Sequence, residues 1–546
     1  MTRRPRLERV LRCAAMAALC LLAALVAERG LGMLFPFRSA VLTRHGESTR
    51  VLAADGSLLR ISPTPLGERL IRVRRGDLPD ALVDALLTSE DARFCTHSGV
   101  DLLAVLRAGV TSLLRRRVVS GASTLTMQLA RILEPHRRSF ANKILEMFRA
   151  RQIERVLSKD EILETYASLV PLGGLVRGFA AASLRWFGKN VRDLSVAEAA
   201  TLVAMLPAPS RRSPRRNPQL LLFHRDRLLR SMSARGVLSE AACARALREP
   251  LGARRRAWPF RAAHACEVAM SRARGPLIQT GLDVGLQGRV DRCVRERDAG
   301  RADGVAVVVL DRASGVIRAL TGSDDWHRVQ LDAAVCSRPA GSTLKPFLYA
   351  LALELGVTSL DAVVSDSPVV FARWSPRNFD GRYRGSLLAA DALAASRNMP
   401  AIELLQQVGV ERFRDVLEQL GIATPSASLH LDAALGTLGV TPLALAAAYR
   451  RFAASEADVA GIRLAHRRAV LAVLRRSSPN PSSVAVGTVA WKTGTSSGRR
   501  DAWSVGVTAR YVIVVWTGNL SGRGAADLVG ARLANELLAS VLRATQ

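Results

Sequence analysis

The sequence predicts a multidomain chain: an N-terminal membrane helix, then an all-α half, then an α+β half. Three observations carry that reading. An uncharged run from Cys13 to Ala27 follows five arginines, helix-start signals recur between Pro79 and Pro207, and short β-prone stretches separated by turns fill the region from Val484 to Trp516. At 546 residues, both halves are long enough to build a core of their own.

Taken in order, Arg3, Arg4, Arg6, Arg9 and Arg12 precede the 15-residue uncharged run, which extends back through Val10 and Leu11 if Arg12 snorkels. Residues 1–9 are then a cytoplasmic tail and 10–28 a single anchor. The small residues of Ala24-Leu25-Val26-Ala27 also suit a cleaved signal peptide, and that alternative stays open. No later stretch is long and uncharged enough to cross a bilayer, so the chain beyond Arg29 is expected on one side of it.

In the first half, covering about 45–220, Leu78-Pro79-Asp80 opens a helix with Leu82, Ala85, Leu86 and Leu87 on its apolar positions. It leads to Glu90-Asp91-Ala92-Arg93-Phe94-Cys95-Thr96-His97, which crowds acidic, basic and imidazole groups around one helix end. Next come Gly121-Ala122-Ser123-Thr124, Gln128 and Arg131, then a helix from about Phe140 to Leu157 that puts Lys143 and Glu146 on one face. Ser158 with Glu161, and Ser195 with Glu198, are capping boxes of two further helices.

Residues 211–218, rich in Arg and Pro, read as an exposed end to this half, and 221–278 as a helical connector. The second half is expected over 279–520. Ala340-Gly341 precedes a helix starting at Ser342 with Pro346 in its first turn, where a missing N–H does little harm. The stretches 484–491, 502–507 and 511–516 suggest an antiparallel set with Lys492 on one strand. Residues 521–546 are left as a tail.

Lysine usage singles out the chemistry. Of 78 basic residues only five are lysines: Lys143, Lys159, Lys189, Lys345 and Lys492. A position that keeps lysine against that bias needs what guanidinium cannot give, an amine that can lose its proton or a compact point charge. Lys345 closes Ser342-Thr343-Leu344-Lys345, Lys492 opens Lys492-Thr493-Gly494-Thr495, and Ser396-Arg397-Asn398 lies between them. The spacing i, i+3 puts Ser342 beside Lys345. A lysine in a dry, cationic surrounding can act as the base that makes a serine nucleophilic.

These elements match the Ser-x-x-Lys, Ser-x-Asn and Lys-Thr-Gly set of penicillin-reactive serine enzymes, and the second half resembles the transpeptidase domain of penicillin-binding proteins. The ordered set of the first half resembles the peptidoglycan glycosyltransferase domain, which has a lysozyme-like helical fold. Together they resemble the bifunctional class A penicillin-binding proteins, nearest the 1C type.

The resemblance implies that Glu90 deprotonates the acceptor 4-hydroxyl while Glu146, with Lys143 and Arg131, assists departure of a lipid pyrophosphate, Asp91, His97, Ser123, Thr124 and Gln128 completing the substrate site. It implies that Ser396 relays the leaving-group proton and Asn398 orients the substrate. Lys492, Thr493, Gly494 and Thr495 would hold the substrate carboxylate, with the N–H groups of Ser342 and Thr495 as oxyanion hole. Three positions depart from the family pattern: Cys95 replaces an aromatic, Arg131 a frequent lysine, and Ser168 the asparagine of a Tyr-x-Asn element.

The expected function is polymerisation of lipid II and cross-linking of peptide stems in the periplasm, at the inner membrane, on lipid II and nascent peptidoglycan. β-Lactams would inhibit, and other cell-wall proteins are candidate partners. A membrane-anchored scaffold with idle sites and a D-Ala-D-Ala carboxypeptidase or other penicillin-reactive hydrolase stay open as alternatives. No cofactor or resident metal is expected, a divalent cation at the glycosyltransferase site being left open. The net charge of +31 is spread without a zinc-finger, RNA-recognition or helix-turn-helix pattern, so nucleic acid is not an expected partner. Seven cysteines, two of them in the anchor, show no C-x-x-C spacing and suggest neither a metal site nor a disulfide framework.

Overall fold

A computed structural model describes residues 30, 35–107, 123–137, 139–297, 302–370, 374–422, 429–476, 488–525, 528 and 530–546. The expected anchor, 10–28, lies outside the described residues, as do Gly121, Ala122 and residues 484–487 of the expected 484–491 stretch. Among the described residues no helix is long and apolar enough to cross a membrane. The chain forms two compact units, the first from residues 1–50 and 61–259, the second from 51–60 and 260–546.

The first unit is helical: α1 (Asp80–Glu90), α2 (Leu125–Leu133), α3 (Phe140–Val156), α4 (Lys159–Leu169), α5 (Gly178–Trp186), α6 (Val196–Met205), α7 (Pro218–Ala234) and α8 (Glu240–Arg248). The capping boxes form as expected. The Ser158 hydroxyl accepts from Glu161 N and the Ser195 hydroxyl from Glu198 N, while each glutamate accepts the serine N–H in return. Helix α6 is buried on every side from Ala197 to Met205, so its run of alanines lets α1 and α7 pack close against it.

The connector expected at 221–278 does not stand apart. Leu221, Leu228, Leu229, Met232, Cys243 and Ala246 of α7 and α8 enter the first unit's core, and the division falls at Pro259 and Phe260 instead. An apolar stripe on each helix had to be covered, and the first core was the surface that covered it.

The second unit is built on one five-stranded antiparallel sheet: β1 (Gly304–Asp311), β2 (Ile317–Thr321), β3 (Ala490–Thr495), β4 (Asp501–Val507) and β5 (Tyr511–Gly518), in the order β3-β4-β5-β1-β2. The expected strands at 502–507 and 511–516 form as β4 and β5, whereas the first expected stretch, 484–491, contributes only Ala490 and Trp491 to β3, which runs on through Lys492 to Thr495. The other two come from nearly two hundred residues upstream, and β1 runs along all of β5 from Gly304 opposite Gly518 to Asp311 opposite Tyr511.

Helices cover both faces, which explains the unbroken apolar run Val305 to Leu310. Val305, Val307 and Val309 meet α9 (Val284–Glu296) and α10 (Asn535–Ala544), whereas Ala306, Val308 and Leu310 face a larger core that contains Phe347, Tyr449 and Phe452. Two-residue periodicity survives in space although both phases are apolar. The segment expected as a C-terminal tail therefore belongs to the fold, because Leu537, Leu538, Val541 and Leu542 of α10 cover one sheet face. A hairpin from residues 51–60 also joins this unit, pairing with Leu277–Gln279.

Leu538 is fully buried between α10 and the sheet. Leu538→Ala is expected to destabilise the second unit by about 2–5 kcal/mol. Denaturant unfolding followed by the fluorescence of Trp491, Trp503 and Trp516, all in this sheet, reads the loss as an earlier midpoint with unchanged slope.

Candidate active sites

In the first unit, α1 ends at Glu90 because Asp91 leaves helical geometry and turns its carboxylate onto the next element. Asp91 accepts the Leu125 N–H at 2.9 Å and lies 3.1 Å from His97 Nε2. A carboxylate at the start of α2 satisfies one of its open amides and complements its dipole. Thr124 caps the same end, accepting from Met127 N and donating to the Gly99 carbonyl at 2.6 Å.

Asp91, His97 and Thr124, expected at the substrate, are thus buried in the joint that carries Glu90. Ser168 is similarly engaged, its hydroxyl donating to Glu164 O and accepting from Val73 N, which leaves no asparagine-like group facing outward there. Cys95 is exposed and unpaired.

Glu90 is half-buried and accepts from Gln128 Nε2 at 2.9 Å; Gln128 in turn accepts from the Tyr166 hydroxyl at 3.1 Å. Burial, then the charge of Glu90, pushes the Tyr166 phenol above its ordinary value, so it stays a donor. The second cluster surrounds Glu146, which is 4 % exposed. Lys143 Nζ lies 2.7 Å from its Oε2 and 2.6 Å from Ser123 Oγ, while His136 Nε2 at 3.3 Å and Arg131 Nη1 at 3.6 Å approach Oε1.

Glu146 is therefore not on a solvated charged face. It is the hub that holds three basic side chains together. His136 was not legible in advance, since it lies before the helix that carries Glu146 and no periodicity links the two.

In the second unit, Ser342 sits in a short 3-10 turn, Gly341–Leu344, and the α-helix begins only at Lys345, continuing to Glu354. The strand β3 lies directly on that turn. A Cβ at Gly494 would come within 2.7 Å of Thr343 Cγ2 and 2.9 Å of the Ala340 carbonyl oxygen, and one at Gly341 within 2.8 Å of Thr495 N. Only glycine permits this approach, and Gly341 also has φ +56°. It packs the turn that holds Ser342 against the main chain of Gly494 and Thr495.

Lys345 is 1 % exposed and donates to Ser396 O at 2.8 Å, Arg397 O at 3.0 Å and Asn398 Oδ1 at 2.7 Å. Lys492 is also buried and donates to Ser396 Oγ at 2.8 Å and to its neighbour Thr493 O at 2.7 Å. One network thus joins Lys345, Ser396, Asn398 and Lys492. Burial, then the nearby charges of Lys492 and Arg397, holds Lys345 well below the usual lysine range, and burial brings Lys492 down to about 7.

Ser396 reaches both lysines from a strained backbone, φ +57°. Its neighbour Arg397 anchors the turn through Asp366 (2.8 Å) and Asp380 (2.9 Å), and the fully buried Asp366 also accepts from Asn378 Nδ2 and Arg384 N. Asn378 Oδ1 receives the Asn398 N–H. No spacing rule pointed to Asp366 or Asn378. A cleft of about 920 Å³ opens over Ser342, Ser396, Asn398, Thr493, Gly494 and Thr495, with Trp374 and Phe379 on its wall.

The helical unit thus carries two hydrogen-bonded carboxylates, Glu90 and Glu146, and the sheet-based unit a cleft lined by Ser342 and Ser396 with two buried lysines beneath it, the side-chain types of a two-reaction enzyme. Residues 61–233 match the family model for Transglycosylase, and residues 305–497 that for the Penicillin binding protein transpeptidase domain. The chain is 35% identical over 518 residues to penicillin-binding protein 1C of Escherichia coli, covering 90% of this chain and 67% of that one. It is 30% identical over 562 residues to penicillin-binding protein 1B of Vibrio cholerae, covering 88% and 71%. A crystal structure of penicillin-binding protein 1A from Haemophilus influenzae shares the fold, with a TM-score of 0.59 at 18% identity over 91% of this chain and 92% of that one.

The chain belongs to the bifunctional penicillin-binding proteins. It is a peptidoglycan glycosyltransferase and transpeptidase whose substrates are lipid II and peptidoglycan, and it binds β-lactams.

The depressed lysine at 492 makes stability pH-dependent. The unfolded chain keeps a lysine proton up to about pH 10.4, whereas the folded unit releases that of Lys492 near pH 7, so above pH 7 the unfolded state binds more protons and raising the pH favours folding. From pH 7 to 8.5 this contributes about 1–2 kcal/mol. Lys492→Met is expected to lose that rise in paired denaturant titrations at the two pH values.

Proposed function

We propose that Glu90 and Ser342 are the two reacting side chains, each set up by the network around it. At the first site, Glu90 takes the proton of the acceptor 4-hydroxyl as that oxygen attacks the donor sugar carbon. The bond from that carbon to the lipid pyrophosphate breaks, and the departing charge falls on Lys143 and Arg131, with His136 beside them. Glu146 holds these groups in register, with Ser123 fixing the far side of Lys143. Gln128 and Tyr166 keep Glu90 aimed.

At the second site, Lys345 in its neutral form takes the Ser342 proton while Oγ bonds to the stem's carbonyl carbon. The carbonyl oxygen gathers charge against the Ser342 and Thr495 amides. As the C–N bond breaks, Ser396 passes a proton to the leaving amine, and an amine of a second stem then attacks the acyl-enzyme, regenerating Ser342. Lys492, Thr493 and Thr495 bind the substrate carboxylate, and Asn398 orients the stem. The observation that carries this reading is the hydrogen-bond network in which Lys345 and Lys492 meet on Ser396.

Residues 10–28 anchor the chain in the inner membrane with both units in the periplasm, and the fold of the first unit is lysozyme-like. Neither reaction as written needs a resident cofactor; a divalent cation would act only as a companion to the pyrophosphate. Other cell-wall proteins are candidate partners.

With detergent-solubilised protein and labelled lipid II, the parent is expected to make long glycan on a gel and Glu90→Gln none, a loss of at least 100-fold. Ser342→Ala is expected to abolish labelling by a fluorescent penicillin while glycan synthesis persists. Lys345→Arg, which keeps charge but cannot act as base, should slow labelling by at least 100-fold. Full labelling of Lys345→Arg would remove the base role.

A further inference from the structure

A second cavity of about 640 Å³ lies within the first unit, away from the Lys143–Glu146 cluster. Its lining includes Arg69, Arg185, Arg215, Arg216 and Arg255, and no acidic residue. These positive charges act on one another: burial, then the charges of Arg255 and Arg69, lowers the proton affinity of Arg185. Guanidiniums of Arg69 and Arg185 lie over the Trp258 ring at 5.7 and 5.4 Å, which holds them side by side. Trp186, 8 % exposed, also lines the cavity, and its buried indole N–H has no hydrogen-bond partner among the described residues. Clustered forks of donors with no acidic side chain among them suit a ligand that brings oxyanions.

Two segments link the cavity to the surroundings of Glu90. Helix α4, whose Tyr166 hydroxyl reaches Glu90 through Gln128, runs on into Gly173, Gly174 and Leu175 of the lining, and Arg212, which feels the charge of Glu90, precedes Ser213 of the lining. We propose that this pocket binds the free carboxylates of the peptide stem on the glycan strand leaving Glu90, an assignment that rests on the polymerase reading above. A lipid headgroup fits less well, because exposed apolar side chains such as Leu102, Leu103, Leu106, Phe140 and Ile144 lie on other elements, and of the large exposed apolar side chains only Leu175 is part of the cavity lining. Held there, a stem would keep the growing strand attached between additions.

The test uses the full chain in detergent, treated first with penicillin to occupy the Ser342 cleft, and a soluble disaccharide–tripeptide as probe in calorimetric titration. Arg215→Glu with Arg255→Glu, both exposed positions, is expected to weaken binding at least tenfold, the corresponding Gln pair less, and amidation of the probe's carboxylates by a similar factor. Probe affinity within twofold across parent, variants and amidated probe overturns the inference, as does inorganic phosphate displacing the probe at equal concentration. If the parent makes no glycan from lipid II yet the probe shows this dependence, the polymerase reading fails and the stem site stands. If glycan is made and the dependence is absent, the stem site alone falls.

Discussion

The second unit depends on one close contact, the seating of β3 on the turn that carries Ser342. Glycine at 341 and 494 lets main chain meet main chain where any side chain would force them apart. That approach carries Lys492 to Ser396 and leaves Lys345 with no exit to solvent. A buried amine near the charges of Lys492 and Arg397 is poorly stabilised as an ammonium, so the same packing that excludes water loosens the hold of Lys345 on its proton. Stability is given up locally for this, as the strained Ser396 and the two proton-poor lysines indicate.

Around that contact, fully buried polar groups act as struts. Asp366 gathers Arg397, Asn378 and the Arg384 amide, and through them fixes the segment from Ser396 to Asn398. Tyr449 donates to the Thr343 carbonyl and Trp503 to that of Pro339, tying the Ser342 turn to a helix on one side and to β4 on the other. A satisfied network of this kind holds one arrangement because each alternative would strand a buried donor or acceptor.

The first unit solves the same problem with charge. Asp91 locks the end of α1 to the start of α2 and so directs Glu90, while Glu146 collects Lys143, Arg131 and His136 around one carboxylate. A carboxylate placed among cations lets them stand within reach of a common anion, where a pyrophosphate would add to an existing pattern instead of having to assemble it. The departures at Cys95 and Ser168 fall outside this inner arrangement: one is exposed, the other is occupied with backbone groups.

Much of this was legible in the chain itself. The capping boxes at Ser158 and Ser195, the helix carrying Lys143 and Glu146, the terminal strands and the Ser342, Ser396 and Lys492 elements are local signals, fixed by spacing and by what each backbone needs at its ends. What tertiary structure alone decided was nonlocal: that Gly304–Asp311 completes a sheet with strands far downstream, that α10 closes its face, that α7 and α8 join the first core, and that His136, Asp366 and Asn378 converge on motif residues. Periodicity reports only which side of an element is buried. Which distant surface buries it, and which buried polar group completes its hydrogen bonds, is settled by packing the whole chain at once.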